Sequence, residues 1–107
     1  MRAERIGFAA APMLALALAL TPARAETITV RIDKAAYMPA SVSARVGDTI
    51  VWTNADIVAH TASARDKTWD FNMPAGKSAS LKVGKAGAIE YYCRYHPTMV
   101  GRINVAQ

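Results

Sequence analysis

Three metal donors fall within seven residues near the C-terminus of this chain. They are the thiol of Cys93, the imidazole of His96 and the thioether of Met99, spaced C-x2-H-x2-M in Cys93-Arg94-Tyr95-His96-Pro97-Thr98-Met99. Cys93 is the only cysteine among 107 residues, so it forms no disulfide within the chain. A free thiol outside the cytoplasm is open to oxidation, which favours ligation of a metal as its use. The chain's other histidine, His60, follows the turn-forming stretch Asn54-Ala55-Asp56. One thiolate, two imidazoles and one thioether make up the donor set of a trigonal copper site with a long axial Met. Soft sulfur suits Cu(I), and imidazole suits both oxidation states. The predicted ligands of a single type 1 copper ion are therefore His60, Cys93, His96 and Met99.

Other chemistries fit this donor set less well. Structural zinc sites draw on Cys, His and carboxylates, and Met is not among their usual ligands. Covalent haem attachment needs C-x-x-C-H, and there is no second cysteine. A Cys93–His96 hydrolytic dyad would need an orienting group and an oxyanion hole, for which the sequence carries no signal. A copper enzyme with a second metal would need more histidines than the two present. Taken singly, each residue has a plainer reading: a lone Cys is usually a small buried hydrophobe, and a Met beside a strand is usually core. It is the joint spacing of the four that points to copper.

The elements that must hold these residues are strands. Ile28, Val30 and Ile32 alternate with polar neighbours, as do Val42, Ala44 and Val46, and Thr49 to Thr53 is rich in β-branched and aromatic residues around a core Trp52. Pro39 marks an edge or bend, and Gly47-Asp48 a turn. Ile57 to Ser63 reads equally as a short strand or an irregular passage. From Ala64 to Lys77 the alternation fails and a loop is expected, with Trp69 and Phe71 beneath it. Ser78 to Val83, Ala88 to Tyr92 and Val100 to Val105 complete the set, with Cys93, His96 and Met99 in the loop before the last strand. No helical stripe, repeat or low-complexity segment occurs. The predicted fold is all-β, a Greek-key β-sandwich or barrel of about 6–8 short strands.

The N-terminus is read as a separate segment. Arg2 and Arg5 precede an apolar run from Ile6 to Leu20, and Thr21-Pro22-Ala23-Arg24-Ala25 ends in small residues. This is the pattern of a secretory signal, cut after Ala25; the run is shorter than the roughly 20 residues of a spanning helix. Residues 1–25 are thus a cleavable leader, 26–107 the domain, and the periplasm the expected location. The formal charge of the whole chain is +5. Most of the apolar excess lies in the leader, and the charges of the remainder are dispersed. No basic run is interleaved with aromatics, which excludes a nucleic-acid footprint.

The stretch Gly47-Asp48-Thr49-Ile50-Val51-Trp52-Thr53-Asn54 leading to His60, followed by Cys93-x2-His96-x2-Met99, resembles the cupredoxins, small blue-copper proteins. It is most similar to their amicyanin and plastocyanin branch, as is Met73-Pro74-Ala75-Gly76. The resemblance implies that both histidines coordinate through Nδ1. The Nε2 of His60 would then face a buried partner, and that of His96 would reach the surface in an apolar patch with Pro97, Met73 and Met38. It implies a carrier of single electrons, not an enzyme, a monomer that spans no membrane once its leader is cut. Redox proteins, such as a periplasmic dehydrogenase or a cytochrome, would dock near His96. A copper-delivery protein without redox turnover, or a metal-free interaction module, are the alternatives. Two positions depart from the branch. Thr61 stands where Asn is frequent, leaving one hydroxyl to tie the copper loops together. Tyr95 stands where Pro is usual, so that its N–H is free to bond the Cys93 sulfur and raise the reduction potential.

Overall fold

The computed structural model describes residues 24–107, so the predicted leader lies outside the described residues except for Arg24 and Ala25. Nine strands follow one another: β1 (Thr27–Asp33), β2 (Ala36–Met38), β3 (Ser41–Arg45), β4 (Thr49–Asn54), β5 (His60–Ala64), β6 (Asp70–Met73), β7 (Ser78–Lys82), β8 (Gly87–Tyr92) and β9 (Val100–Ala106). They form an all-β sandwich of two sheets, one in the order β2-β1-β4-β7 and the other β3-β9-β8-β5-β6. No helix among the described residues is long and apolar enough to cross a membrane.

Period-two alternation explains the layers. Val30 and Ile32 on β1, Ile50 and Trp52 on β4, and Ile103 and Val105 on β9 turn inward and are buried, while their neighbours face outward. β1 pairs in parallel with β4, which sets Val30 beside Trp52. β8 pairs antiparallel with β9, which sets Tyr91 opposite Gly101. Trp52 is the centre of the core. Its ring centroid lies 5.3 Å from that of Trp69, 5.4 Å from Tyr91 and 5.9 Å from Phe71, within the range where aromatic pairs add to simple burial. Gly101 makes room for Tyr91: a Cβ there would stand 2.5 Å from the tyrosine hydroxyl oxygen. The glycine thus lets Tyr91, two residues before Cys93, lie flat across β9.

Nine strands exceed the 6–8 expected. One extra strand is β6, which falls within the predicted loop from Ala64 to Lys77. Asp70 and Asn72 point outward and Phe71 and Met73 inward, a true alternation too short to stand out among charges and Pro74. Another is the three-residue β2, too short to show an alternation and followed at once by Pro39. The ambiguous stretch from Ile57 to Ser63 resolves into a loop up to Ala59 and β5 from His60 onward.

The turn between β1 and β2 is also unforeseen. Lys34 and Ala35 both take the left-handed conformation, with φ of 53° and 56°. Asp33 and Ala36 pair across them, so the two residues form a two-residue hairpin turn normally served by Asn-Gly. The backbone N–H of Ala35 there donates to the Asp56 carboxylate at 3.0 Å. A strained turn in one sheet is tethered in this way to the loop that precedes His60.

Candidate metal centre

The ligand loop is shaped by its own spacing. The N–H of His96 donates to the carbonyl of Cys93 at 3.2 Å, and the N–H of Met99 to the carbonyl of His96 at 2.8 Å. Each x2 gap therefore closes a four-residue turn, which brings the residues at its two ends together. The N–H of Cys93 donates to the carbonyl of Met99 at 3.1 Å and shuts the base of the loop. Because β8 and β9 are antiparallel neighbours, the loop is clamped at both ends.

His60 arrives from the other side, as the first residue of β5. The loop before it is organised by Asn54, which is fully buried. Its amide nitrogen donates to the carbonyls of Val58 at 2.9 Å and Met73 at 3.0 Å, and its amide oxygen accepts from the N–H of Asp56 at 2.9 Å. One side chain thereby fixes the end of β4, the His60 loop and the end of β6. In the sequence Asn54 reads only as a turn signal; its partners are all backbone groups, so no local pattern reveals them.

The donors converge. The Nδ1 of His60 lies 3.7 Å from the Cys93 sulfur and the Nδ1 of His96 3.8 Å from it. One ligand atom from each of the three residues lies within 4.8 Å of the others. Both histidines present the nitrogen that the sequence resemblance implied. His60 and Cys93 are fully buried, and His96 is partly exposed. Met99 is buried at the base of the same loop, 5% exposed. Met73, expected at the surface patch, is instead fully buried in the core: it is the inward residue at the end of β6, paired with His60 across the hairpin. Met38 is exposed, as expected of a patch residue.

The surroundings settle the charge state. Burial pushes the Cys93 thiol up, but His96, the Thr61 N–H, His60 and the Tyr95 N–H together outweigh it and bring it down to about 6. The thiolate, the form that ligates metals, thus prevails at neutral pH. Burial likewise pulls the His60 imidazolium down. Its contacts with Asp56 and Cys93 overcome this and raise it above the usual histidine range. The Nε2 of His60 lies 2.9 Å from the Asp56 carboxylate, so with Nδ1 turned to the sulfur, Nε2 carries the proton and donates it. Asp56, in turn, is held below the usual carboxylate range by His60 and by the Ala35 N–H.

Comparison with known proteins then decides the family. The profile of the cupredoxin-like domain matches residues 6–105. The chain belongs to the cupredoxin-like domain family. Amicyanin from Paracoccus versutus is 25% identical over 87 residues, covering 76% of this chain; the chain spans 66% of that relative's length. The crystal structure of amicyanin from Paracoccus versutus superposes with a TM-score of 0.65 at 28% identity, covering 81% of this chain and 86% of the other. A purple cupredoxin from Nitrosopumilus maritimus gives a TM-score of 0.70 at 24% identity, covering 74% of this chain and 99% of its own, a likeness of fold.

In this cupredoxin the cluster of His60, Cys93 and His96 fits a copper ion by its chemistry. A thiolate that accepts from the Thr61 N–H, together with two imidazoles directed by Nδ1, is a soft-to-borderline donor set.

Proposed function

We propose that this cupredoxin is an exported type 1 copper protein that carries single electrons between redox proteins, with His60, Cys93, His96 and Met99 as its ligands. The observation that carries the reading is the approach of both Nδ1 atoms to one sulfur, 3.7 and 3.8 Å away. Copper bound there supplies a one-electron couple between Cu(II) and Cu(I). The chain's own residues do the rest. Cys93, ionised and dry, supplies the thiolate. The hydrogen bond from the His60 Nε2 to Asp56 orients the ring, and would hold Nδ1 toward a bound ion. Met99, buried at the base of the loop, would offer its thioether as the fourth and weakest donor.

His96 has the remaining task. It is partly exposed, with Nδ1 toward the sulfur and the neighbouring Pro97 exposed, and Met38, itself 44% exposed, would join them in a docking patch. A donor or acceptor protein, such as a periplasmic dehydrogenase or cytochrome, would dock over this patch in a small interface that favours rapid release. The reading is a carrier in the periplasm, not an enzyme. Delivery of copper to another protein fits less well, because His60, Cys93 and Met99 are buried and His60 is braced by Asp56.

The test is addition of Cu(II) to the purified chain beginning at Glu26. An intense blue thiolate-to-copper band with narrow copper hyperfine splitting, reversible on one-electron reduction and abolished by Cys93→Ser, is the expected result. A colourless complex, or a colour that survives Cys93→Ser, overturns the proposal.

A further inference from the structure

β5 is buried on both faces, which is unexpected for a strand in one layer of a two-layer sandwich. Ala62 and Ala64 belong to the core. Thr61 and Ser63 point to the opposite side, yet are 0% and 3% exposed. Two buried hydroxyls need partners, and here their hydrogen bonds form a ring. The Ser63 hydroxyl lies 2.6 Å from the Asp70 carboxylate, directly across the β5–β6 hairpin. The Thr61 and Ser63 hydroxyls are 2.9 Å apart. The backbone N–H of Arg94 donates to the Thr61 hydroxyl at 2.8 Å, and the Nε–H of Arg94 donates to the same Asp70 oxygen at 3.2 Å.

The directions follow from one acid. Asp70 is held below the usual carboxylate range by Ser63 and, secondarily, by Arg94, so it only accepts. Ser63 must therefore donate to Asp70, which leaves its lone pairs to accept from Thr61. Thr61, having given its proton to Ser63, accepts from the Arg94 amide. The ring begins and ends on Arg94, the residue after Cys93. Thr61 meanwhile donates its own N–H to the Cys93 sulfur at 3.3 Å. Next along the loop, the Tyr95 hydroxyl donates to Asn72 of β6 at 2.5 Å. The outer face of one edge strand thus grips two consecutive residues of the ligand loop.

We propose that Ser63 and Asp70, neither of them a metal donor, are positioning residues that hold N–H groups on the Cys93 sulfur through this ring and so bias the centre toward Cu(I). The proposal rests on the copper reading above. Hydrogen bonds to sulfur draw charge from it and weaken its donation to Cu(II). Loosening the ring lets Thr61 and the Arg94–Tyr95 backbone drift from the sulfur, and the potential falls.

The test uses Ser63→Ala and Asp70→Ala, with Ser63→Thr to restore a hydroxyl. Asp66→Ala removes a charge from the same hairpin outside the ring, where Asp66 bonds only Thr68. In metal-free protein, amide hydrogen exchange at Arg94 should quicken by about tenfold in the two ring-breaking variants, as local opening becomes easier. In the copper-loaded protein, their potentials should fall by up to a tenfold change in relative Cu(I) preference, about 59 mV for a one-electron couple. Ser63→Thr should return both readings toward those of the parent, and Asp66→Ala should move neither. Folded, blue Ser63→Ala and Asp70→Ala proteins with an unchanged potential overturn the proposal, whatever their exchange rates. A parent protein with no blue band overturns the copper reading itself, which distinguishes the two failures.

Discussion

A single carboxylate oxygen of Asp56 meets both the Nε2 of His60 and the N–H of Ala35, so one residue orients the imidazole and ties it to the opposite sheet. Losing an outer hydrogen-bond partner of a metal-bound histidine costs roughly 10–100-fold in affinity. Asp56→Ala should accordingly weaken copper binding by about that factor, read by competition with a chelator, while leaving the fold intact. Tyr95 provides a second residue-scale prediction. Its backbone N–H is one of the groups that stabilise the Cys93 thiolate. Tyr95→Pro removes this donor and should lower the reduction potential measured by voltammetry. The four proposed ligands were legible in sequence because their types are rare and three of them repeat at turn spacing. Asp56 and Asn54 were not: an acid four residues before a histidine, or an amide ending a strand, is ordinary until folding supplies its partner.

Among the elements, strands with five or more alternating residues are legible in the sequence, the edge strands β3 and β7 included, and the short edge strands β2 and β6 are not. β1 carries Ile28, Val30 and Ile32 inward, β4 Ile50 and Trp52, and β9 Ile103 and Val105, each over six or seven residues, long enough for alternation to show. β6 carries two, Phe71 and Met73, and its outward Asp70 and Asn72 resemble loop residues until the ligand loop is seen resting on them. The turn between β1 and β2 escaped notice for the opposite reason, since Lys34-Ala35 is a poor sequence for the conformation it adopts. A left-handed conformation costs a residue with a Cβ about 1–2 kcal/mol. Replacing Lys34-Ala35 by Asn-Gly should stabilise the domain by roughly 1–3 kcal/mol in urea unfolding. The Ala35 N–H is a backbone group, so its bond to Asp56 survives and copper affinity should not change.

At the scale of the whole molecule, acid sensitivity follows from where the carboxylates sit. Asp48 is depressed below the usual carboxylate range by the N–H groups of Glu26 and Arg45, and Asp56, Asp66 and Asp70 are depressed by their own hydrogen bonds. A carboxylate that binds its proton less readily when folded stabilises the fold fully above its unfolded pKa, about 3.9. That contribution is lost as pH falls through the lower folded value. Metal-free protein should lose stability progressively, read as a falling urea midpoint, as the pH drops below about 4 and these carboxylates take up protons. Asp48→Asn should flatten that decline. Asp48 also gives the predicted export signal a structural consequence. The N–H of Glu26 donates to its carboxylate at 2.8 Å, and Glu26 is the residue that scission after Ala25 would leave first. Removal of the leader would then replace a neutral peptide donor by a cationic amine at the same spot, so that maturation itself welds the front of β1 to the β3–β4 corner. A chain starting at Glu26 should melt at a higher temperature than one whose Glu26 amine is acetylated, and the gap should shrink as salt is added.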